Sequence, residues 1–324
     1  MELFHGVNID WLGKKWYFLA FSLIFSVAGV ISMGVHLAQT GSPVPLGVDF
    51  RGGTEVQVQF ANKPDIGAIR QAVGAAGIND AKIQSYGGDA NSNEVLISLP
   101  EQKNETSLDQ GRQTIVNALK AHYNNPFDAD KGVKVDVVGP TVGRQLQNKA
   151  IMATLYSLLG MLIYLWFRFQ LIYGVAAVVA CFHDTLITVG FFALTGQEIT
   201  LTVIAAILTL VGYSMNDTIV VFDRIRENLR MSRREQLSDV VNRSINQTLS
   251  RTVLTSGLTF LTVLSLLIFG GPVLRGFSFA LVVGILIGTY SSIAVAAPML
   301  VAYQEWRAKN GKSAALPAAR SARG

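Results

Sequence analysis

An aspartate and an arginine lie within apolar stretches of this chain that are long enough to cross a lipid bilayer. Asp217 lies in ITLTVIAAILTLVGYSMNDTIVVF (199–222), and Arg251 begins RTVLTSGLTFLTVLSLLIFGG (251–271). An ionisable side chain at membrane depth costs about 2.5–3.5 kcal/mol on insertion scales, so a proton or ion path is the first hypothesis. Arg251 could instead extend to the lipid headgroups, whereas the short side chain of Asp217 cannot reach water.

The composition is typical of an integral membrane protein. Half of the 324 residues are hydrophobic, 15% are charged, and the mean hydropathy is positive. The single cysteine, Cys181, lies in an apolar run, so the chain has no disulfide framework. We attribute the net charge of +5 to loops beside a membrane rather than to a nucleic-acid surface, because aromatic and basic residues are not interleaved.

Six apolar windows predict six transmembrane helices, because a helix of about 20 residues spans the hydrocarbon core. The first window is longer than the apolar core of a signal peptide and no A-x-A site follows it, which favours an uncleaved anchor. The predicted regions are a cytoplasmic N-terminus (1–15), the first span (16–38), a periplasmic domain (39–147), a five-helix membrane domain (148–303) and a cytoplasmic tail (304–324) that we expect to be disordered. The five later spans are predicted at 150–167, 171–195, 199–222, 250–270 and 276–303.

Arginine collects in the loop after the fourth span, which reads DRIRENLRMSRREQLSDVVNRS. The positive-inside rule places this loop in the cytoplasm, and six spans then place both termini there as well. Apolar residues at helical spacing in 223–247 predict an amphipathic helix along the cytoplasmic face of the membrane. A solvated helix held by acid–arginine pairs is equally compatible with this segment.

The segment between the first two spans predicts an α+β domain. Alternating hydrophobicity marks strands, and apolar residues three and four apart mark helices. The predicted elements are a strand at Glu55–Phe60, a helix at Asp65–Ala76, strands at Ala81–Tyr86 and Glu94–Leu99, a helix at Leu108–Tyr123 and a strand at Val133–Val138. The order β-α-β-β-α-β is the ferredoxin-like pattern. Because no H-E-x-x-H, G-x-S-x-G or metal-ligand spacing occurs, we expect a domain that binds or moves and not an enzyme.

Polar residues line one face of three predicted spans. Asn216 and Asp217 lie on the fourth span, Arg251 on the fifth, and His183 with Asp184 on the third. The fourth and fifth spans run antiparallel, so Asp217 and Arg251 lie at a similar depth, and together with Asn216 they are predicted to form a proton path. A static ion pair that only fixes helix packing is the alternative. His183 and Asp184 are either a second titrating pair on this path or a hydrogen-bonded helix contact.

Small residues recur every four positions along the sixth span. Such a ridge lets another helix approach closely, so Gly284 and Gly288 are predicted packing positions. The ridge comprises Gly276, Ala280, Gly284, Gly288, Ser292 and Ala296. The helix that packs against it could belong to this chain or to a partner.

Six blocks of the sequence, in order, resemble the SecF branch of the SecD/SecF family of protein-export membrane proteins. The longest block is highly specific, and the likeness extends over nearly the whole chain. The blocks are GVDFRGGT (47–54), VGPTVGRQL (138–146), FHDTLIT (182–188), VGYSMNDTIVVFDRIREN (211–228), INQTLSRTVLTSG (245–257) and FGGPVLRGFS (269–278).

The resemblance implies the six-span half of a pseudo-symmetric complex with SecD in the bacterial inner membrane, related to the RND superfamily. It implies an accessory role beside the SecYEG channel, driven by the proton-motive force, with preprotein on the outer face. A YajC-like small subunit and membrane lipid are further expected partners, and neither cofactor, metal nor nucleic acid is expected. The family's proton-path aspartate and arginine fall by motif on Asp217 and Arg251.

Two other functions fit the same scaffold. The first is half of a proton-coupled RND-type exporter of small molecules or lipids, although such exporters usually carry larger, duplicated external modules. The second is a purely structural subunit that stabilises its partners and moves no protons.

Overall fold

The computed structural model describes residues 8–78, 81–86, 93–99, 105–128, 132–138, 140–169, 171–231 and 235–310. In these ranges, six helices have the length and hydropathy needed to span a membrane, and one four-stranded sheet lies between the first and the second of them. The predicted fold class, an α-helical polytopic membrane protein with a ferredoxin-like domain between spans 1 and 2, is confirmed.

The elements follow one another in a simple order along the chain. They are α1 (Lys15–Thr40), α2 (Val48–Arg51), β1 (Gly53–Gln59), α3 (Ile66–Ala75), β2 (Lys82–Tyr86), β3 (Glu94–Leu99), α4 (Glu105–His122), β4 (Val133–Val138), α5 (Pro140–Arg168), α6 (Leu171–Thr195), α7 (Leu201–Met231), α8 (Leu237–Phe269), α9 (Gly271–Ser291), a π-helical turn (Ser292–Ala296) and α10 (Ala297–Lys309). The sixth span comprises α9, the π-helical turn and α10.

The sheet of the extramembrane domain has the strand order β2-β3-β1-β4, with every pair antiparallel. This is the order of a ferredoxin-like fold, in which both helices cover one face of the sheet. Val56 on the central strand has no exposed surface and pairs with Ile97 on one side and Val135 on the other. Ile69 from α3 and Leu119 from α4 pack against the same face, which forms the core of the domain.

The ends of the domain's elements follow from local chemistry. Asp65 caps α3, since its carboxylate accepts a hydrogen bond from the backbone N–H of Gly67 at 2.8 Å. Gly77, with a φ of +84°, follows the end of that helix. The segment GGDANSN (87–93) between β2 and β3 lies outside the described residues except for Asn93. Helix α2, which precedes β1, was not predicted from the sequence.

The extramembrane domain is attached to the helical bundle at α2, near the point where the chain enters the domain. The backbone N–H of Leu201, at the start of α7, donates to the carboxylate of Asp49 on α2 at 2.8 Å. The N–H of Ile199 donates to the carbonyl of Pro45 at 2.8 Å. Gly143 on α5 lies so close to α2 that a β-carbon there would be 2.9 Å from a carbonyl oxygen. Two segments of the membrane domain, residues 199–201 and α5, therefore hold α2 and the residues beside it.

The second span begins earlier than predicted. Helix α5 runs without a break from Pro140 to Arg168, so the helical structure starts inside the region assigned to the external domain (39–147). Proline is favoured in the first turn of a helix because its missing N–H would be unpaired there. The residues directly after Pro140 are polar, so a hydropathy window does not detect this part of the helix.

The predicted amphipathic helix over 223–247 is not a separate element. Helix α7 continues to Met231 and α8 begins at Leu237, so the segment is divided between two long helices. The apolar residues of the segment are buried in one cluster with each other and with the bundle, as Ile225, Val241 and Ile245 show. The hydrophobic face that suggested contact with lipid is covered by the neighbouring helix instead.

The helix of the sixth span continues past residue 303, the predicted end of that span. Pro298 cannot donate to the carbonyl of Ala294 and would clash with it in a regular helix, and the π-helical turn lies at this point. Helix α10 extends to Lys309, so the first part of the predicted disordered tail (304–324) is helical. Residues 311–324 lie outside the described part of the chain.

The segment before α1 is bound to the start of α8. The side-chain oxygen of Asn242 accepts from the N–H of Trp11 at 2.9 Å, and its amide donates to the carboxylate of Asp10 at 2.6 Å. Asn246, one turn later, donates to the carbonyl of Ile9 at 2.9 Å. We refer to residues 8–14 as the N-terminal clip, which connects α1 to the helix that carries Arg251.

Candidate functional site

Two carboxylates are buried inside the membrane bundle. Asp184 on α6 is 1% exposed and Asp217 on α7 is 2% exposed. Helix α7 lies in the centre of the arrangement, because it packs against α6, α8 and α9. The two aspartates share no hydrogen-bond partner among the described residues, so they form two separate polar centres.

The Asp184 centre joins three helices through the carboxylate. The hydroxyls of Ser214 on α7 and Ser291 on α9 donate to the same carboxylate oxygen, at 2.6 and 2.7 Å. The other oxygen is hydrogen-bonded to Nδ1 of His183 at 3.0 Å. This carboxyl group therefore has a partner on each oxygen, as a buried polar group requires.

The Asp184 centre is extended to a fourth helix through His183. The Nε2 atom of His183 is hydrogen-bonded to the hydroxyl of Ser22 on α1. Ser22 is buried although most residues of α1 are exposed, and Gly29, the other buried residue of that helix, lies against Gly190 of α6. The chain Ser22–His183–Asp184 thus links the first span to the centre of the bundle.

The predicted small-residue ridge packs against α7 of the same chain. A β-carbon on Gly288 would lie 3.0 Å from the β-carbon of Ser214, and one on Gly284 would lie 2.4 Å from the side chain of Leu210. Close approach at Gly288 brings Ser214 and Ser291 to the same side of the contact, where both reach Asp184. The ridge therefore positions the donors of this centre.

The Asp217 centre has fewer contacts. The hydroxyl of Ser256 on α8 donates to the carboxylate at 2.6 Å. Arg251, also on α8, is close enough to act electrostatically on Asp217, but no ion pair within 4.0 Å joins these two described residues. One turn before Ser256, the buried hydroxyl of Thr252 has no partner among the described residues.

Arg251 and Asn216, both predicted for the proton path, face the outside of the bundle. Both side chains are exposed, whereas Asp217 is buried beside them. They belong to a row of exposed polar residues along α7 and α8, which we call the polar face. Tyr213 ties the two helices together there, because its hydroxyl donates to the carbonyl of Thr255 at 3.2 Å. The exposed members of the polar face are Thr202, Thr209, Asn216, Arg251, Thr255 and Thr262.

The polar residues of the three spans therefore form two separate centres. Asp184 meets α7 and α9, and Asp217 meets α8, while Asn216 and Arg251 lie at the surface beside Asp217. Sequence reasoning missed the serine donors Ser22, Ser214, Ser256 and Ser291. Their only sequence signal is a hydroxyl in an apolar span, which the surrounding threonines share. Within the described ranges no group of three metal-ligating side chains occurs.

Family models match two parts of the chain. A model for the C-terminal part of the protein-export membrane proteins SecD and SecF matches residues 118–306, and a model for the SecD/SecF GG motif matches residues 39–63. The first match contains both carboxylate centres except for Ser22. The second contains α2 and β1, where the extramembrane domain is attached to the bundle.

Similar proteins cover almost all of the chain. A protein translocase subunit SecF from Koribacter versatilis is 56% identical over 98% of this chain and 96% of its own length. Another SecF, from Calditerrivibrio nitroreducens, is 46% identical over 90% of this chain and 93% of its own length.

Solved structures extend the likeness to the fold. A crystal structure of SecDF from Thermus, described as a translocon-associated membrane protein, matches 93% of this chain with 36% identity and a TM-score of 0.78. This chain spans 39% of the length of that chain. A SecDF in a super-membrane-facing form matches with the same identity and a TM-score of 0.65. The chain belongs to the SecD/SecF family of protein-export membrane proteins.

Proposed function

We propose that this chain is a SecF-type accessory subunit of the Sec translocase, which works with SecD and uses the proton-motive force to promote protein export. In this proposal the chain lies in the bacterial inner membrane beside the SecYEG channel, with both termini in the cytoplasm and the ferredoxin-like domain facing preprotein. It needs no cofactor and carries out no enzymatic reaction. The observation that carries the proposal is the buried, sparsely bonded carboxylate of Asp217 beside the exposed Arg251.

Asp217 and Arg251 have the chemistry of a proton site whose state depends on helix position. A carboxyl changes its proton affinity when its surroundings change between apolar groups and a guanidinium. A movement of α8 against α7 changes the distance between these two side chains and so binds or releases a proton. One elementary charge crossing 100 mV releases about 2.3 kcal/mol, enough to shift a conformational equilibrium about fifty-fold.

The polar face supports SecD as the partner. Polar and charged side chains inside a membrane normally face protein or water and not lipid, yet Asn216 and Arg251 are exposed on this chain. The Thermus relative contains more than twice the length of this chain and is described as SecDF. In our proposal SecD covers the polar face, and Arg251 lies at the contact between the two proteins.

Movement of α8 has two routes to the extramembrane domain. The N-terminal clip connects the start of α8 to α1, which leads into the domain through α2. Helix α7, which shares the polar face with α8, begins at Leu201, where its N–H is bound to Asp49. The two SecDF structures match this chain with TM-scores of 0.78 and 0.65 at equal identity, which supports a family that adopts more than one arrangement.

The experiment compares the neutralisation of a buried carboxylate with that of an exposed one. Asp217→Asn should co-purify with SecD in normal yield but abolish the gradient-dependent stimulation of preprotein export in vesicles. Asp239→Asn, which removes an exposed carboxylate in the first turn of α8, is the control and should export normally. Normal stimulation by Asp217→Asn would show that this carboxylate moves no protons.

The exporter alternative predicts a different phenotype. Depletion of a translocase subunit causes unprocessed precursors of secreted proteins to accumulate, whereas depletion of an exporter raises sensitivity to its toxic substrates. We expect precursor accumulation with unchanged drug sensitivity. The opposite pattern would favour the RND-type exporter.

A further inference from the structure

A second group of charged side chains lies away from both carboxylate centres. Where α5 ends and α7 leaves the membrane domain, a cavity of about 410 Å³ is lined by Arg168, Arg226 and Arg230. This is the side of the bundle on which the α7–α8 turn lies. Within the described ranges, no carboxylate lies within 4.0 Å of any of these three guanidinium groups.

Two of the arginines are held on one aromatic ring. The Cζ atoms of Arg168 and Arg226 lie 5.1 and 5.8 Å from the ring centroid of Phe169, which is itself buried. Contact with a ring face restricts a guanidinium and attracts its charge. The ring therefore keeps two like charges near each other, an arrangement that an anion between them would stabilise.

The acids in the same cavity do not neutralise it. Glu227 accepts a hydrogen bond from Arg224 at 2.6 Å, so its charge is compensated by an arginine outside the cavity lining. Asp223 is exposed to solvent. Three cations thus face one uncompensated carboxylate, and the cavity has an excess of positive charge.

The residues next to the cavity place it at the surface of the membrane. Trp166 and Phe167, directly before Arg168, are 62% and 95% exposed at the end of an apolar span. Exposed tryptophan at a span end is typical of the headgroup region. Ile163 and Leu159, one and two turns earlier, are also exposed and continue an apolar surface toward the membrane centre.

We propose that this cavity binds the phosphate of an anionic phospholipid headgroup. Guanidinium groups bind phosphate oxygens with paired, charge-assisted hydrogen bonds, which suits Arg168 and Arg226. The acyl chains lie along the exposed apolar face of α5. A lipid fits better than a soluble phosphate compound because the cavity is bordered by side chains that face hydrocarbon.

The test measures lipid retention by the purified full-length chain in mild detergent. Native mass spectrometry counts phosphatidylglycerol and phosphatidylcholine molecules bound to wild type and to the double variant Arg168→Gln/Arg226→Gln. Each arginine near a membrane surface contributes about 1 kcal/mol, so we expect about thirty-fold weaker binding of phosphatidylglycerol by the double variant. Phosphatidylcholine binding should not change.

The control is Arg243→Gln, which removes an arginine on the same side of the bundle as the cavity. This arginine forms an ion pair with Glu235 at 2.6 Å. Retention by this control should match the wild type, and an equal loss would show that only diffuse charge attracts the lipid. Displacement of phosphatidylglycerol by equimolar inorganic phosphate would show that the cavity takes free phosphate. Arg168→Lys/Arg226→Lys keeps both charges, so wild-type retention by this variant would contradict recognition by stacked guanidinium groups.

Discussion

Asp184 and Asp217 are buried to the same degree in one helical bundle, but their surroundings differ. Asp184 is bonded to His183, Ser214 and Ser291, which lie on three helices. Asp217 accepts one hydrogen bond from Ser256 and has an arginine nearby without a direct ion pair. A carboxylate offers about four acceptor positions. The first is therefore held in one geometry, whereas the second has unused capacity for a proton or for Arg251.

The difference separates two roles that the sequence left open. For His183 and Asp184, the geometry favours the hydrogen-bonded helix contact over a second titrating pair, because residues on α6, α7 and α9 are all bonded to the carboxylate. For Asp217, the geometry favours the proton site over a static ion pair, because no such pair is formed. The predictions below separate the two centres by stability and by function.

The largest expected effect on stability is at Asp184. Asp184→Ala removes the shared hydrogen-bond partner of two buried serine hydroxyls and of the half-buried His183 ring, at about 1–3 kcal/mol each, so it should lower the free energy of unfolding by roughly 3 kcal/mol. Asp217→Ala removes one such contact and should cost about 1 kcal/mol. Unfolding in mixed detergent–SDS micelles measures both variants. Equal losses would mean that the two centres have the same structural role.

A glycine contact tests whether α1 belongs to the Asp184 centre. A β-carbon on Gly190 would lie 2.7 Å from the Cα of Gly29, a backbone atom that no rotamer change can move. Gly190→Ala should therefore separate α1 from α6 and destabilise the chain by about 1–3 kcal/mol. The control is Gly257→Ala on α8, where the added carbon meets nothing within 4 Å. The same unfolding assay should show no loss for this control.

Removing the hydrogen-bond donor at the Asp217 centre should have a smaller effect on stability. Ser256→Ala should lower the free energy of unfolding by about 1 kcal/mol, because one hydrogen bond to a buried group is lost. The variant should still assemble with SecD. Its gradient-dependent export rate should fall by more than the small loss of stability explains. If the rate stays at the wild-type value, the hydrogen bond from Ser256 has no part in the proton site.

The smallest effect concerns the N-terminal clip, which lies outside the membrane. The pKa of Asp10 is lowered from its ordinary value of 3.8 by the backbone N–H of Gly13 and then by the amide of Asn242. A lowered pKa means that the ionised carboxylate stabilises the clip above pH 3.8 and that this contribution is lost as the pH falls through the lowered value.

Amide hydrogen exchange of residues 9–13 measures this contribution. Asp10→Asn should exchange faster than wild type at neutral pH, and the difference should disappear once Asp10 is protonated. Asp239→Asn, which removes an exposed carboxylate in the first turn of α8, is the control. Equal acceleration by both variants would assign the effect to general charge and not to the clip.

The sequence was sufficient to predict those features of the fold that depend on one segment at a time. Alternation along Glu94–Leu99 and helical spacing along Asp65–Ala76 predicted the extramembrane domain, and hydropathy predicted the six spans. The apolar face of 223–247 was also predicted from the sequence. The helix that covers this face was not predicted, because periodicity shows which face of a helix is apolar but not what packs against it. The same limit explains why the polar residues of three spans were considered together as one proton path.

The site was predicted in part for the same reason. Asp184 and Asp217 were identified because a carboxylate in an apolar span is rare. Their serine partners were not identified, because Ser214 and Ser256 become informative only when the neighbouring helix is known. The exposure of Arg251 and Asn216 likewise depends on the rotation of α7 and α8 within the bundle.

The most direct test of the central claim is the protonation of Asp217 within the assembled complex. Infrared difference spectroscopy of the SecD-containing complex in vesicles detects the carbonyl band of a protonated carboxyl. We predict a band that changes with pH and conformation, persists in Asp184→Asn and is absent in Asp217→Asn. An Asp217 carboxylate that stays ionised at every accessible pH and in every state of the complex would contradict the account.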